Sequence, residues 1–324
     1  MKIPGSVRTL YAEQRPRYDR LKDQVDARLR SLAARRNWHY ESRVKTELSM
    51  ALKLESGRVP DPKQVEDFFA CTLVVRNLSE ISDAETQIRA LFDLKERRPR
   101  SADWTHKCAN AFPFDDLRLY VGWKDDQALP PSGLAGTRFE VQVKTFLQHA
   151  WGIATHDLIY KTDDVSWSRQ RIAYQVKAML EHAEVSIQEA DRLAQTATLC
   201  KTQQDTQELA EIISVLKDNW DSDLLPPDLS RLADNTRTVM RLAKAKIADL
   251  RSVLDQERHR HRGGLPANIS PYAIVVQAMA WHRAAAIQAG LQDGRDRILV
   301  TGEMELPDWL VPGKTRNVVF IKAI

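Results

Sequence analysis

Residues 139–161, FEVQVKTFLQHAWGIATHDLIYK, constrain the fold more than any other part of the chain. Glu140, Gln142 and Lys144 fall at period two with apolar residues between them, which predicts a strand with one polar and one apolar face. The residues that follow have apolar side chains at helical spacing and predict an amphipathic helix. A carboxylate, an amide and a cation along one strand face are typical of a site for metal and phosphate.

Composition bounds the class of protein. The chain has 324 residues, a length typical of about two domains. Its net charge of +4 permits an anionic partner such as a nucleotide or RNA, but fits an ordinary solvated surface equally well. No run approaches the roughly 18–20 apolar residues of a membrane span, and the first residues form no hydrophobic signal segment. Three scattered cysteines predict reduced thiols, so we expect a cytoplasmic protein without membrane association.

Hydrophobic periodicity changes character along the chain. Up to residue 161 helices and strands alternate, and beyond residue 200 the pattern is mostly helical. Residues 95–113 are basic and irregular and predict a loop. Helices are predicted over 7–36, 41–54, 82–94, 146–160, 167–198, 203–220, 228–258 and 271–290. Strands are predicted over 68–75, 117–123, 137–145, 297–300 and 317–322, with 117–145 forming a hairpin. We therefore expect an α/β (α+β) domain over 1–200, followed by a mostly helical extension of unknown role over 201–324.

A basic cluster precedes the first predicted strand. In the predicted helix 41–54, Lys45, Ser49 and Lys53 are four residues apart and share one face, with Arg43 beside them. Such a row of donors could bind a polyphosphate. The alternative is an exposed helix face that is basic without a ligand.

Two carboxylates stand at predicted strands. Asp67 directly precedes the apolar run FFACTLVV, where it could be a magnesium ligand or a loop residue without a ligand. Glu140 could be a second metal ligand or a base, and Gln142 and Lys144 could contact phosphate or sugar. Alternatively these three form the polar face of an edge strand.

Together these residues resemble the RelA/SpoT synthetase domain, the family that makes the alarmones pppGpp and ppGpp. The resemblance covers roughly residues 15–195 and is most specific in residues 140–161. The positions that carry it are Arg43, Lys45, Ser49, Lys53, Asp67, Glu140, Gln142, Lys144, Thr145, Trp151, His156, Tyr160 and Lys161. It implies a nucleotidyltransferase-like mixed sheet of five strands flanked by helices. The implied reaction is that of a GTP diphosphokinase: the β,γ-diphosphate of ATP moves to a ribose 3′-hydroxyl and AMP is released.

The resemblance also implies roles for individual residues. Asp67 and Glu140 would hold Mg²⁺, and Glu140 would also help to deprotonate the hydroxyl. Arg43 would stack on or pair with ATP. The phosphates would be bound by Lys45, Ser49 and Lys53. Lys107 is assigned to the loop that precedes the acceptor site.

The acceptor half of the family pattern is altered. The family's loop usually reads Gly-Tyr-x-Ser-Leu/Ile-His, and the aligned residues here are Pro113, Phe114, Asp115, Asp116, Leu117 and Arg118. Phe114 can still stack on a base but lacks the tyrosine hydroxyl. Two aspartates would repel a phosphorylated acceptor unless a metal or Arg118 offsets them. Thr72 stands where the family usually has an arginine.

Three functions stay open on the sequence. The first is an alarmone synthetase that acts in the stringent response, using ATP and GDP or GTP. The second is a toxic relative that pyrophosphorylates the tRNA 3′ end, which the basic runs at 95–107 and 258–262 favour. The third is an impaired nucleotide-binding regulator. A homo-oligomer or a neutralising partner protein, as in a toxin–antitoxin pair, is compatible with these alternatives.

Histidines give weaker signals. His156-Asp157 resembles one pair of an alarmone hydrolase, but no further histidine and aspartate at metal spacing precede it, so we expect no hydrolase. His149 and His156 are seven residues apart on one predicted helix without a third ligand. We interpret them as a packed or hydrogen-bonded pair.

Overall fold

The structure is a computed structural model that describes residues 2–322 except 58, 60, 64, 106–116, 126–130, 160–165, 295 and 311–314, and for residues 156–159 it describes only the backbone. The chain forms two compact units, Met1–Leu199 and Cys200–Ile324. Among the described residues, no helix is long and apolar enough to cross a membrane.

The first unit is built on a mixed five-stranded sheet flanked by helices. Its strands are β1 His39–Val44, β2 Phe69–Val75, β3 Asp93–Arg98, β4 Leu117–Gly122 and β5 Arg138–Thr145. Its helices are α1 Gly5–Arg36, α2 Glu47–Glu55, α3 Ile81–Leu91, α4 Phe146–Ile159, α5 Trp167–Gln188 and α6 Ala190–Ala194. The strand order is β1-β2-β5-β4-β3, in which β2 and β5 are parallel and the other neighbours are antiparallel. The predicted fold class and the predicted hairpin are confirmed.

One face of this sheet carries the apolar core. Phe69, Phe139 and Phe92 are buried there, with Phe92 packed edge-on against Phe139 at a ring-centroid distance of 5.1 Å. Both α1 and α3 contact the sheet, and α1 contributes Leu21 and Val25 to the same cluster. Because side chains alternate along a strand, the other face is left for polar residues.

The segment around residue 43 differs from the prediction. Residues 39–44 alternate between exposed and buried positions and pair antiparallel with β2, so they form β1 and not the start of a helix. The helix begins after Thr46, whose side chain accepts a hydrogen bond from the Ser49 backbone N–H. Arg43 therefore lies on a strand and Lys45 in the connection. The prediction that Lys45, Ser49 and Lys53 share one helix face, with Arg43 beside them, is therefore wrong.

Other segments also differ. The predicted helix 271–290 is two helices, Pro271–His282 and Ala284–Asp293. Residues 93–98, placed partly in a helix and partly in a basic loop by the prediction, form the edge strand β3, whose polar composition suits a strand with one unpaired side. The predicted helix 228–258 is two helices. They are separated near Lys244, which has a positive φ of 48° that a continuing helix cannot accommodate.

The second unit is mostly helical. It contains α7 Gln204–Asn219, α8 Leu229–Leu242, α9 Ile247–Arg260, α10 Pro271–His282, α11 Ala284–Asp293 and the parallel strands β6 Ile298–Thr301 and β7 Val318–Ile321. Helix α10 is the centre of its core, since eight consecutive residues from Ala273 to Ala280 are buried. A helix that is apolar on all sides has to be covered by its neighbours, and α8, α9 and α11 contact it.

Close packing between α8 and α11 depends on Gly290. A Cβ added there would lie 2.1 Å from the carbonyl oxygen of Leu242, which is backbone and cannot rotate away. We expect Gly290→Ala to lower the free energy of unfolding by about 3 kcal/mol, since overpacking against backbone forces the helices apart. Chemical denaturation would measure this. Gly264→Ala is the matched control, because a Cβ at Gly264 meets nothing within 4 Å and should leave stability nearly unchanged.

A buried carboxylate ties the second unit together. The Glu257 side chain is fully buried and accepts hydrogen bonds from Gln277 at 2.7 Å and Arg260 at 3.0 Å. Its oxygens also contact the ring nitrogens of His261 at 3.0 Å and His282 at 3.1 Å. Burial would raise the pKa of Glu257, but hydrogen bonds from Gln277 and His282 and the charge of Arg260 outweigh it and hold the pKa below its ordinary value.

Candidate active site

The polar face of the five-stranded sheet brings the predicted strand residues together. The pairing register places Glu140 between Ala70 of β2 and Tyr120 of β4. One step along β5, Gln142 lies between Thr72 and Arg118. Thus Arg118, predicted as an acceptor-side residue, stands beside Gln142 in the sheet.

A pocket of about 500 Å³ opens on this face. It is lined by Glu41, Ser42, Arg43, Ala70, Thr72, Gln142, Lys144, His149, Gly152 and Ile153. Three of the predicted nucleotide-binding side chains, Arg43, Gln142 and Lys144, therefore share one cavity. Their two cations and one amide could donate to an anionic ligand. Helix α4 closes one side and, at Gly152, passes close to the Lys144 ammonium: a Cβ there would lie 3.7 Å from it.

Glu140 is nearly buried, with 5% of the residue exposed. Its carboxylate accepts a hydrogen bond from the Gln142 amide. Burial, followed by the charge of Glu140, raises the pKa of Tyr120 to about 12, so the neighbouring phenol stays protonated at neutral pH. The carboxylate is thus held in place on β5, which is the central strand of the sheet and not an edge strand.

Asp67 forms a compact cluster with two lysines. The Lys45 ammonium lies 2.9 Å from one carboxylate oxygen and the Lys53 ammonium 2.6 Å from the other. The side chains of Lys45 and Asp67 are only 13% and 19% exposed, so this pair is shielded from solvent far better than a surface ion pair. The cluster lies where β2 begins, because the Lys45 N–H bonds the Phe68 carbonyl oxygen at 2.7 Å.

The two lysines set the titration of Asp67. Burial would raise the pKa of Asp67, but hydrogen bonds from Lys53 and Lys45 outweigh it and hold the pKa below its ordinary value. We expect Lys45→Met and Lys53→Met each to raise this pKa, because each removes a cation that favours the ionised form. Carboxyl ¹³C NMR titration would measure it. Lys63→Met, a change of an exposed lysine outside the cluster, should leave the Asp67 titration as it is.

Not every predicted residue joins these groups. Ser49 is exposed, and its hydroxyl accepts a hydrogen bond from Thr46 at the start of α2, outside the Asp67 cluster and outside the pocket lining. Lys107 and Phe114, predicted on the acceptor side, lie outside the described residues. In α4, Trp151 donates to the Ala173 carbonyl oxygen at 3.0 Å and so fastens α4 to α5.

Three residues near the pocket were not recognised as a group from the sequence. His39, Glu41 and His149 each place a ligand atom within 4.8 Å of the others. Burial, opposed by the charge of Glu41, lowers the pKa of His149 and keeps its imidazole neutral near pH 7. The interpretation of His149 as half of a pair with His156 took no account of these neighbours. The alternation of HYESRV is the signal that could have placed His39 and Glu41 on one strand face.

A family comparison decides what kind of region this is. Residues 42–165 match the model of the region found in RelA / SpoT proteins. The chain contains a RelA/SpoT region. This region includes β2, β5, α4, the Asp67 cluster and most of the residues that line the pocket. The family resemblance inferred from Arg43, Asp67 and the residues that follow Glu140 is thereby confirmed. No curated protein shows significant similarity to the chain.

Solved structures were also compared with the chain. Small alarmone synthetase 1 from Bacillus subtilis has 13% identity and a TM-score of 0.46, covering 57% of this chain and 97% of that one. A GTP pyrophosphokinase family protein from Streptococcus pneumoniae has 16% identity and a TM-score of 0.45, covering 60% and 98%. The type VI effector Tas1, solved in complex with its immunity protein, has 16% identity and a TM-score of 0.33, covering 57% and 98%.

Proposed function

We propose that the RelA/SpoT region transfers the β,γ-diphosphate of ATP to a ribose 3′-hydroxyl and releases AMP. The observation that carries the proposal is the convergence of Arg43, Gln142 and Lys144 on one pocket within a RelA/SpoT region. Phosphoryl-type transfer needs positioning and charge stabilisation more than covalent chemistry by the protein. A pocket lined by two cations and an amide could position the phosphates of ATP, the diphosphate donor.

The proposed acceptor is GDP or GTP, which would give ppGpp or pppGpp, the products of the stringent response. ATP and a guanine nucleotide are accordingly the proposed ligands. Residues 1–200 would be the synthetase domain, and 201–324 an extension. The cytoplasm, where both nucleotides are abundant, is the proposed location.

Mg²⁺ is the proposed metal ion, with Asp67 and Glu140 as its protein ligands. Both side chains offer hard carboxylate oxygens, the donor type that Mg²⁺ prefers. When bound, the ion would neutralise charge on the polyphosphate. Asp67 is engaged by Lys45 and Lys53 at 2.9 and 2.6 Å, so ligand binding would redistribute these contacts.

The chain's own residues have distinct proposed tasks. Lys45 and Lys53 would turn from Asp67 to the phosphates of ATP, and Arg43 would stack on or pair with the nucleotide. Ser49 would contact phosphate through its exposed hydroxyl at the start of α2. Gln142 and Lys144 would hold phosphate or sugar. Arg118, adjacent to Gln142, would carry positive charge toward the acceptor side.

Glu140, Phe114 and Lys107 have the proposed catalytic and acceptor-binding tasks. Glu140 would accept the proton of the attacking hydroxyl, since its carboxylate is fixed beside Gln142 and Tyr120. Phe114 would stack on the acceptor base and Lys107 would bind its phosphates.

Incubation with γ-labelled ATP and Mg²⁺ tests the acceptor directly. Parallel reactions contain GDP, GTP or deacylated tRNA, and the label is followed by chromatography for nucleotides and by gel electrophoresis for tRNA. Label on GDP or GTP supports the proposal. Label on tRNA alone would retain diphosphate transfer but replace the acceptor. ATP binding without any transfer would contradict the proposal and leave a nucleotide-binding regulator.

A further inference from the structure

We infer that His39, Glu41 and His149 form a binding site for a divalent transition-metal ion of the Zn²⁺ type, separate from the magnesium site proposed at Asp67 and Glu140. The three ligand atoms lie within 4.8 Å of one another. Two imidazoles and one carboxylate are a ligand set that binds Zn²⁺ and leaves coordination positions open.

The backbone fixes where these ligands stand. His39 and Glu41 are two residues apart on β1, so they point to the same side of the sheet. The register with β2, in which His39 faces Val74 and Glu41 faces Thr72, holds that arrangement. A one-residue slip of β1 would turn both side chains to the core, which makes the pair a stable feature of the fold.

The third ligand comes from a helix whose start is also fixed. The Thr145 backbone N–H donates to the Gln148 side chain at 3.1 Å, and the Gln148 N–H donates to the Thr145 hydroxyl at 3.1 Å. These two contacts hold the first turn of α4, so His149 is held facing β1. The ring centroids of His39 and His149 are 5.8 Å apart.

The separation of the ligand atoms suits one ion after small side-chain rotations. Zn–N and Zn–O bonds of about 2.1 Å place two tetrahedral ligand atoms about 3.4 Å apart. His39 and Glu41 are exposed, so rotation about their side-chain bonds can bring the atoms closer by the required distance of up to about 1.4 Å without disturbing the core. No described residue makes a hydrogen bond or ion pair with any of the three side chains that would have to be broken first.

Local charge selects the class of metal. Lys144 lies in the same pocket and its ammonium opposes any cation. Mg²⁺ and Ca²⁺ bind chiefly through charge and all-oxygen ligands, so this site disfavours them. Zn²⁺, Co²⁺ and Ni²⁺ gain strength from imidazole nitrogen. Since Glu41 and His149 line the pocket, the ion that these residues would hold would lie beside the pocket.

Titration of the full chain with metal alone tests the site. Chelator-stripped protein carrying Cys200→Ser, to remove an exposed thiol, competes with a colorimetric chelator for Zn²⁺ in the absence of nucleotide. We expect one equivalent to bind, and His39→Ala and His149→Ala each to weaken binding by about 30-fold or more. Co²⁺ should give visible absorption without a sulfur charge-transfer band, and this absorption should be lost in the same variants.

Controls separate this site from its surroundings. His182→Ala removes an exposed histidine of α5 and should bind Zn²⁺ as the parent does. Glu140→Gln should also bind Zn²⁺ normally, so the result does not depend on the proposed transfer reaction. Unchanged affinity in both His39→Ala and His149→Ala would overturn the assignment. Displacement of Zn²⁺ by millimolar Mg²⁺ would overturn the proposed class of metal.

Discussion

Glu140→Gln is expected to reduce diphosphate transfer by about 10²- to 10³-fold or more. Glu140 is nearly buried, and its carboxylate is held by the Gln142 amide on the central strand of the sheet. The amide of glutamine keeps the size of the side chain but removes the charge that would hold Mg²⁺ and accept the hydroxyl proton. Loss of one such preorganised group costs a rate factor of this order. The initial rate of labelled product with the preferred acceptor measures it.

Asp67→Asn should reduce the rate of diphosphate transfer by a similar factor. It should also remove the ion pairs of Lys45 and Lys53. The variant leaves Lys45 and Lys53 without a carboxylate partner, so ATP should bind without Mg²⁺ at least as tightly as to the parent. Glu55→Gln, at the exposed end of α2, is the control and should keep the parent rate. Full activity of either Asp67→Asn or Glu140→Gln would refute the assignment of that carboxylate.

Glu257→Ala is expected to lower the free energy of unfolding of the second unit by about 3 kcal/mol. The fully buried carboxylate joins α9 to α10 through Gln277 and His282, and its removal takes this acceptor from both side chains, while Arg260 keeps its ion pair with Glu305. Breaking a buried polar network by removing one member is costly for this reason. Thermal or chemical denaturation measures the loss. Asp255→Ala, on the exposed side of α9, should cost less than about 0.5 kcal/mol.

We expect acidic pH to reduce the difference in the free energy of unfolding between the parent and Glu257→Ala. The pKa of Glu257 is below the ordinary value of 4.5 in the folded state, so its stabilising contribution is complete above pH 4.5. The contribution is lost as the pH falls through the folded-state pKa. The Arg260 guanidinium and the ring nitrogens of His261 and His282 contact this carboxylate, so its protonation weakens all three contacts. A constant stability difference down to the pH of global acid unfolding would contradict this account.

The central strands of the sheet could be predicted because buried strand residues give a simple pattern of apolar residues in the sequence. The run FFACTLVV is nearly all apolar and forms β2 at Phe69–Val75, where it pairs on both sides within the sheet. Alternation in residues 139–145 predicted β5, and the polar face that it implied carries Gln142 and Lys144 in the pocket. Such patterns are local, so the sequence alone contains them.

The wrong secondary-structure predictions arose where the local sequence favours another element. Residues 39–44 alternate, but the strong helix formers of ELSMALKLE follow at once, and the prediction extended the helix across the boundary at Thr46. The strand β3 has Leu94 as its only apolar residue and therefore resembles a loop. The helix break after α8 has Lys244 at a positive φ. Glycine is the usual sequence signal for such a residue, so the break could not be recognised from the sequence.

The contacts within the candidate site could not be predicted from the spacing of residues along the sequence. The Asp67 cluster joins residues predicted for two different tasks, a metal ligand and two phosphate-binding lysines, in one set of ion pairs. Their proximity arises from the connection after β1 folding back onto the start of β2, which no periodicity encodes. His39, Glu41 and His149 are likewise brought together by the packing of α4 near β1 and not by their positions in the chain.

Diphosphate transfer from ATP differs from other uses of ATP in the bond that is cleaved, because it releases AMP and not ADP. Full-length protein incubated with Mg²⁺, ATP and GTP or GDP can be assayed for AMP, ADP and diphosphorylated acceptor in the same sample, with Glu140→Gln beside it. If a diphosphate is transferred, we expect AMP and diphosphorylated acceptor in equal amounts and no accumulation of ADP. Both products should be lost in Glu140→Gln. ADP as the main product, or AMP formed at the same rate by Glu140→Gln, would contradict the proposed diphosphate transfer.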